Sequence, residues 1–207
     1  MLKPREKNMH SKEHTGIRIT GHIKISDPDT REVYVNKRNA IHYENFSIAL
    51  ANSVADRNKH FIHQMSFGNG GTFVDPTGII TYLTPNSFGS NAGLYNQTYS
   101  KVVDDQSSSN LDPTRNYLEV LHTTGNNYTD VLITCLLDYG EPANQSAYDT
   151  TTSGESAYVF DELGLQSYDP SGNPLLLTHV IFHPVQKSLN RLIQVDYTVR
   201  IQTLSGV

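Results

Sequence analysis

The clearest hydrophobic pattern in the chain lies near its C-terminus, over residues 193–202. Five apolar residues alternate there with five polar ones, and the apolar positions are Ile193, Val195, Tyr197, Val199 and Ile201. A period of two residues, formed by β-branched and aromatic side chains, is typical of a strand and not of a helix. The pattern therefore predicts a strand with one buried and one hydrated face, as in an antiparallel sheet packed on a single core.

Two further strands are predicted immediately upstream, over residues 157–165 and 175–182, the second ended by Pro184. Residues 169–172 (Asp-Pro-Ser-Gly) separate them and have the composition of a turn, because proline restricts φ and glycine allows positive φ. Residues 187–190 are expected to form the turn that leads into the last strand. Three strands joined by short connections predict a meander, which we take as the centre of the fold.

The N-terminal half predicts two strands followed by a helix, the second strand over residues 33–35 after a turn at residues 27–30. Residues 17–25 alternate between isoleucine and polar side chains, with Gly21 at an apolar position, which indicates a bulge or a close backbone approach. Further along, apolar residues recur at helical spacing, at Phe46, Ala49, Leu50 and Val54. We expect a helix of about three to four turns here, capped by Asn45 or Ser47.

The middle of the chain predicts several more strands, over residues 61–67, 78–83, 94–103, 115–123 and 128–139. The last of these is the most apolar, so we expect it to lie centrally with Cys135 inside. Residues 68–71 (Gly-Asn-Gly-Gly) resemble a phosphate-binding loop only superficially, because neither a Lys-Ser/Thr pair nor a helix follows. We expect a tight loop with positive φ angles instead.

These elements predict a mainly β protein: an antiparallel, jelly-roll-like β-sandwich of about eight strands with one short α-helix. Residues 1–15 show no periodicity and predict an extended N-terminal arm, so residues 16–207 are expected to form a single β-sandwich domain. The composition agrees, because 37% hydrophobic and 18% charged residues are both low values. They suit an all-β chain with polar loops or with a large surface in contact with neighbours.

The net charge of −5 is unevenly distributed along the chain. Residues 1–60 contain 11 Lys and Arg against 7 Asp and Glu, a net charge of +4, whereas residues 61–207 contain 5 against 14, a net charge of −9. Two interpretations stay open: solvated loops, or a basic N-terminal portion that meets the acidic body of another subunit. Nucleic-acid binding is disfavoured, because the basic residues neither cluster nor alternate with stacking aromatics.

The sequence also bears on the compartment. A single cysteine, Cys135, excludes an internal disulfide, and the N-terminus lacks the apolar core of a signal peptide. No apolar run approaches the length of a membrane span. We expect a soluble protein that is made in a cytoplasm and has no membrane partner.

Nine histidines suggest a search for a metal site. The close pairs are His10 with His14, His60 with His63, and His179 with His183. On a strand, residues 179 and 183 share a face but lie roughly 13 Å apart, which is too far for one ion. No cysteine cluster or HExxH helix supports any pair, so no metal-binding residue and no cofactor are predicted.

Candidate catalytic groups are equally weak in the sequence. Asp161 and Glu162 could form a glycosidase-type carboxyl pair with Asp130 or Asp138, but nothing distinguishes them from ordinary surface acids. A nucleophilic serine is not indicated, because no G-x-S-x-G turn is present. We therefore predict no catalytic residue and a protein that is not an enzyme.

Two blocks of sequence are similar to a known group of proteins when they are taken together. The first runs from Val35-Asn36-Lys37-Arg38-Asn39-Ala40-Ile41 through the helix to Ile62-His63-Gln64-Met65-Ser66-Phe67-Gly68-Asn69-Gly70. The second runs from Phe160-Asp161-Glu162-Leu163-Gly164-Leu165, through residues 176–188, to the closing alternating strand. Their order resembles tailed-bacteriophage virion structural proteins, over about half of the chain. His179 departs from the pattern, which has arginine there, and so does His183, where a small residue is usual.

The resemblance implies a non-enzymatic β-rich subunit of the neck, collar or baseplate, present as one copy of a symmetric ring or as an attachment point for fibres. Its partners would be copies of itself and other tail, neck or fibre proteins, in a virion assembled in the host cytoplasm. A receptor- or carbohydrate-binding fibre module is the alternative, with Tyr82, Phe88, Tyr95 and Tyr99 near the predicted loops. A virion-associated hydrolase is a further rival. A purely local interpretation also stays open, in which Gly164 and Pro184 shape turns and Lys187 is a solvated charge.

Overall fold

The computed structural model describes residues 16–89, 92–142 and 157–204. Its strands are β1 (Gly16–Ser26), β2 (Val33–Arg38), β3 (Ala40–Ile41), β4 (Ile62–Gly68), β5 (Thr72–Val74), β6 (Ile80–Tyr82), β7 (Gln97–Val102), β8 (Tyr117–Leu121), β9 (Tyr128–Leu137), β10 (Ala157–Ser167), β11 (Thr178–Ser188) and β12 (Ile193–Leu204). One helix, α1 (Tyr43–Val54), follows β3. The predicted arm over residues 1–15 lies outside the described residues.

The strands form two five-stranded antiparallel sheets and a separate hairpin. The first sheet has the order β2-β1-β12-β9-β8, and the second has the order β3-β11-β10-β4-β7. Within the described part of the chain, strands β5 and β6 pair only with each other. Buried apolar residues from both sheets belong to one core, so the predicted antiparallel β-sandwich with one helix is confirmed. The described ranges hold twelve strands and not about eight, because β3, β5 and β6 are only two or three residues long.

The alternation over residues 193–202 is confirmed, but the predicted meander is wrong. In β12, Ile193, Val195, Tyr197 and Val199 are buried. Strands β10 and β11 pair in the second sheet, whereas β12 lies in the first sheet between β1 and β9. Alternation specifies that one face of a strand is buried, but the ladder partners of β12 come from elsewhere in the chain, including its N-terminal strand β1.

The core lies between the inner faces of the two sheets. The first sheet contributes large apolar side chains from its three inner strands, including Ile23, Ile133, Leu137, Val195 and Tyr197. The second sheet contributes another set, including Met65, Phe67, Leu163, Val180 and Phe182. Cys135 is buried in this core, as the apolar run around it predicts. Strand β9 pairs with β8 on one side and β12 on the other, so its predicted interior position is also confirmed.

Helix α1 begins earlier than the sequence pattern predicts. Its N-cap is His42, whose Nδ1 accepts the backbone N–H of Asn45 at 3.3 Å. The predicted caps, Asn45 and Ser47, are wrong, because Asn45 is buried and donates its side-chain amide to the carbonyl of Leu176 at 2.8 Å. Among the described residues α1 is the sole helix, and it is neither long nor apolar enough to cross a membrane.

Strand β11 continues through Pro184, where the sequence predicted its end. The ladder between β10 and β11 is irregular there, because the pairs 160–185 and 162–181 leave residue 161 opposite three residues, 182–184. A proline that faces such an irregularity interrupts no ladder hydrogen bond, so the strand extends to Ser188. Gly21 shows the close approach that was predicted, since a Cβ there would lie 1.9 Å from the side-chain oxygen of Asn39.

Candidate functional site

Two consecutive carboxyl side chains leave the core at the irregularity in β10. Phe160 and Leu163 both lie in the core, although they are three residues apart. Asp161 and Glu162, between them, are instead bonded to the segments that follow β4 on the outer face of the second sheet. Both acids are buried, and they form the carboxyl cluster together with His179.

Glu162 is completely buried and accepts four hydrogen bonds. Its Oε1 accepts the backbone N–H groups of Gly70 at 3.1 Å and Asn96 at 2.8 Å. Its Oε2 accepts the backbone N–H of Tyr95 and the Nε2–H of His179, both at 2.9 Å. Burial alone raises the pKa of Glu162, but these hydrogen bonds, led by the one from His179, outweigh it and hold the pKa below its ordinary value.

His179 contacts Glu162 as a neutral imidazole. Its Nδ1 accepts the backbone N–H of Asn86 at 2.8 Å, so this nitrogen carries no proton. The proton therefore resides on Nε2, which donates to the carboxylate of Glu162. The Glu162–His179 pair thus buries one negative charge, and His179 connects it to the chain at residue 86.

Asp161 holds the adjacent segment in the same way. Its Oδ1 accepts the backbone N–H of Gly71 at 2.8 Å, and its Oδ2 accepts the backbone N–H of Thr72 at 2.9 Å and the Thr72 hydroxyl. Burial raises the pKa of Asp161 above its ordinary value, although the hydrogen bonds from Thr72 and Gly71 oppose this shift. Both carboxyl groups therefore fix the chain where it enters β5.

The glycines of this site are required by space and not by backbone conformation. Gly68, Gly70 and Gly71 all lie outside the left-handed region, so the predicted positive φ angles are wrong. A Cβ on Gly68 would lie 2.5 Å from the Asn96 carbonyl oxygen, and one on Gly70 would lie 2.7 Å from the Asn96 nitrogen. The loop of residues 68–71 therefore passes so close to the backbone of Asn96 that Gly68 and Gly70 have no room for a side chain.

Gly164, within β10, is likewise required by a lack of space for a side chain. A Cβ at this position would lie 2.4 Å from the carbonyl oxygen of Thr178. The interpretation of Gly164 as a turn residue is therefore wrong, because it lies in a strand whose neighbour leaves no room for a side chain.

The carboxyl cluster is built to hold two loop segments. Each of the four carboxyl oxygens of Asp161 and Glu162 accepts at least one hydrogen bond from the chain itself. The view of these acids as ordinary surface residues is therefore wrong. A signal for their burial was present, because they interrupt the apolar run between Phe160 and Leu163.

The other acids considered for catalysis are bound elsewhere. Asp130, on β9 of the first sheet, accepts two hydrogen bonds of 2.7 Å from the guanidinium of Arg200. Asp138 pairs with Arg115. The structure therefore does not bring either acid into hydrogen-bond contact with Asp161 or Glu162.

The two members of each described close histidine pair also contact different residues. His63 lies 3.3 Å from Asp104, and His60 lies 3.4 Å from the hydroxyl of Ser167. His179 belongs to the carboxyl cluster, whereas His183 is exposed and contacts Tyr82. Residues 10 and 14 lie outside the described ranges, within which no group of three or more His, Cys, Asp or Glu side chains is arranged so that it could hold a metal ion.

Lys187 is not a solvated charge, as the local interpretation held. It lies in β11 opposite Tyr158, a core residue, and its side chain has 0% exposure. Its Nζ donates to the carbonyl of Ser188 at 2.8 Å. Burial lowers the pKa of Lys187 to about 8, although the charges of Glu141 and Asp138 oppose this shift.

The segment held by Asp161 continues into the β5–β6 hairpin, whose apolar side chains are exposed. These exposed residues are Phe73, Val74, Ile79 and Tyr82. The turn is closed by Asp75, whose Oδ1 accepts the backbone N–H groups of Thr77 at 2.8 Å and Ile79 at 3.0 Å. The carboxyl cluster and this hairpin together form the candidate functional site.

Comparison with known proteins gives no relative for this chain: it matches no family model, no curated protein and no solved structure. The function is therefore inferred from the sequence blocks and from the geometry of the site.

Proposed function

We propose that this chain is a non-enzymatic structural subunit of a tailed-bacteriophage virion. It would form part of a symmetric neck/collar or tail/baseplate assembly and could also anchor fibres there. The observation that carries the proposal is the meeting of the two sequence blocks that resemble phage virion proteins. Strand β4 of the first block pairs with β10 of the second, and the Gly70 N–H of the first donates to Glu162 of the second.

The exposed apolar hairpin supports a role in assembly. A two-stranded hairpin is only marginally stable in water by itself, yet here two buried carboxyl groups fix its base. Exposed apolar side chains grouped on one element are typical of a contact with another molecule. We infer that the partners are copies of the chain and other tail, neck or fibre proteins.

A receptor- or carbohydrate-binding fibre module is the second candidate. Tyr34 and Tyr82 line an open cleft of about 310 Å³, together with Asn36, Lys37 and His183. Aromatic faces beside amide, ammonium and imidazole groups have the chemistry to bind sugars. Screening the purified protein on immobilised bacterial polysaccharides tests this candidate, and a Tyr82→Ala variant should lose any binding that is found.

The proposed function is tested on particles of a phage that encodes this sequence. Mass spectrometry of gradient-purified particles should detect the chain at a fixed copy number, and antibody labelling should place it at the neck or the baseplate. A phage with an amber codon in the gene should yield incomplete particles on a non-suppressing host. Purified particles that lack the chain would refute the proposal.

A further inference from the structure

The β5–β6 hairpin presents two apolar side chains on one face. Phe73 pairs with Thr81, and the two-residue period of extended backbone places Ile79 on the same side as Thr81. Phe73 is 52% exposed and Ile79 is 62% exposed. Asp161 fixes the base of the hairpin, and Tyr82 binds His183 of β11, so Phe73 and Ile79 are held ready for contact without further ordering.

A second apolar surface lies elsewhere on the molecule, between α1 and the first sheet. It is a cleft of about 320 Å³, lined mainly by Phe46, Leu50, Leu118, Val120, Val199 and Ile201. Among its lining residues only Ser53 and His60 have polar side chains. Val120 is 69% exposed there, which is unusual for an apolar side chain on the inner face of a sheet.

The two surfaces also carry opposite charges. Asp75 lies at the turn of the hairpin and has its pKa below the ordinary value, because the Thr77 hydroxyl and the backbone of the turn donate to its carboxylate. In the sequence, Arg57 and Lys59 lie between two lining residues of the cleft, Ser53 and His60. Both are exposed, as is Asp56 beside them, so this segment has a net charge of +1. Within the described ranges neither Arg57 nor Lys59 forms an ion pair, so both are available to an incoming acid.

We propose that the hairpin of one copy docks into the cleft of a second copy of this chain. Phe73 and Ile79 enter the apolar cleft, and Asp75 faces Arg57 and Lys59 at its edge. Because the two surfaces differ, each copy uses its hairpin on one neighbour and its cleft on the other, which builds a ring or a filament. The inference rests on the proposed function for its claim that copies associate, and it names the contact.

Self-association is measured first, as molar mass against protein concentration by light scattering on a size-exclusion column. The double variant Phe73→Ser/Ile79→Ser should weaken association by at least about tenfold, because buried apolar contacts at an interface centre commonly have such effects. Arg57→Glu/Lys59→Glu, on the opposite surface, should weaken it as well and remove part of its salt dependence. Leu111→Ser is the control, since Leu111 is an exposed apolar side chain that lies on neither surface, and it should associate like the parent chain.

Disulfide trapping then tests the pairing directly. The natural Cys135 is buried and burial raises its pKa to about 12, so it does not compete under mild oxidation. One preparation carries Ile79→Cys and the other carries Ser53→Cys. The mixture should yield a covalent dimer that contains one copy of each variant, and this dimer should exceed the dimers formed by either variant alone.

The outcomes separate this inference from the proposed function. Association that is unchanged in Phe73→Ser/Ile79→Ser, without the mixed disulfide, overturns the hairpin–cleft contact and leaves a structural role in the virion intact. A parent chain that stays monomeric at high micromolar concentration also overturns the contact. The proposed function is decided separately, by the presence of the chain in purified particles.

Discussion

The Nε2–H of His179 donates to Oε2 of Glu162 across 2.9 Å, and neither side chain has exposed surface. Because the backbone N–H of Asn86 occupies the other ring nitrogen, the imidazole is neutral and the pair holds one charge. That charge is solvated by protein donors in place of water, which is how a buried carboxylate is tolerated. The pair therefore joins strands β10 and β11 to the segments that cover them.

Replacing Glu162 by glutamine should destabilise the fold by about 3 kcal/mol. The glutamine amide retains one acceptor oxygen, but its NH₂ group cannot accept hydrogen bonds. The N–H donors that face this group are therefore left without an acceptor. Urea unfolding followed by circular dichroism measures the change. Glu119→Gln, at an exposed position on β8, is the control and should lie within about 0.5 kcal/mol of the parent chain.

The same substitution should alter the response to acid. The pKa of Glu162 in the folded chain lies below its ordinary value of 4.5, so its contribution to stability is present above that value and is lost as pH falls through the folded pKa. The parent chain should therefore lose more stability than Glu162→Gln between pH 7 and about pH 3. Asp161, with a raised pKa, acts in the opposite sense, and does so less in the variant, because the charge of Glu162 is one cause of that raised pKa; the difference between the two proteins is the net of both effects. Equal acid sensitivity of the parent chain and Glu162→Gln would contradict the assignment of Glu162 as a buried, hydrogen-bonded carboxylate.

Lys187→Met should remove a rise in stability on the alkaline side. Burial lowers the pKa of Lys187 to about 8 from an ordinary value of 10.5, so between these values the unfolded chain binds more protons and stability increases with pH. We expect the parent chain to gain stability relative to the variant from pH 8 to pH 10, by at most about 1.4 kcal/mol per pH unit. Lys24→Met, at an exposed position, should show no such difference.

Gly164→Ala should destabilise the protein by several kcal/mol, on the order of 3, because its Cβ would overlap the backbone oxygen of Thr178. Gly16→Ala is the matched control, since it too lies in a strand, but among the described residues beyond its chain neighbours no atom would lie within 4 Å of an added Cβ. Thermal unfolding of the two variants measures the contrast. Similar melting temperatures would show that β10 and β11 can separate at this point without cost.

Short-range patterns were sufficient to predict most of the secondary structure. Each of these patterns can be read from residues that are close together in the sequence. They are the two-residue alternation of β12, the helical spacing at Phe46 and Ala49, and the apolar run around Cys135. The helix cap was missed because the side chain of Asn45 donates to the carbonyl of Leu176, a residue far along the chain. The continuation of β11 past Pro184 was missed because the irregular pairing with β10 is not visible in either strand alone.

The sequence by itself determined that this chain is an antiparallel β-sandwich with one helix, because side-chain alternation follows directly from the geometry of a strand. Only the tertiary structure decided which sheet receives β12 and what Asp161, Glu162 and Lys187 do. The physical reason is that burial of a charged group depends on donors brought from distant residues, such as Gly70 and Asn96 around Glu162. A single stretch of sequence does not contain those partners.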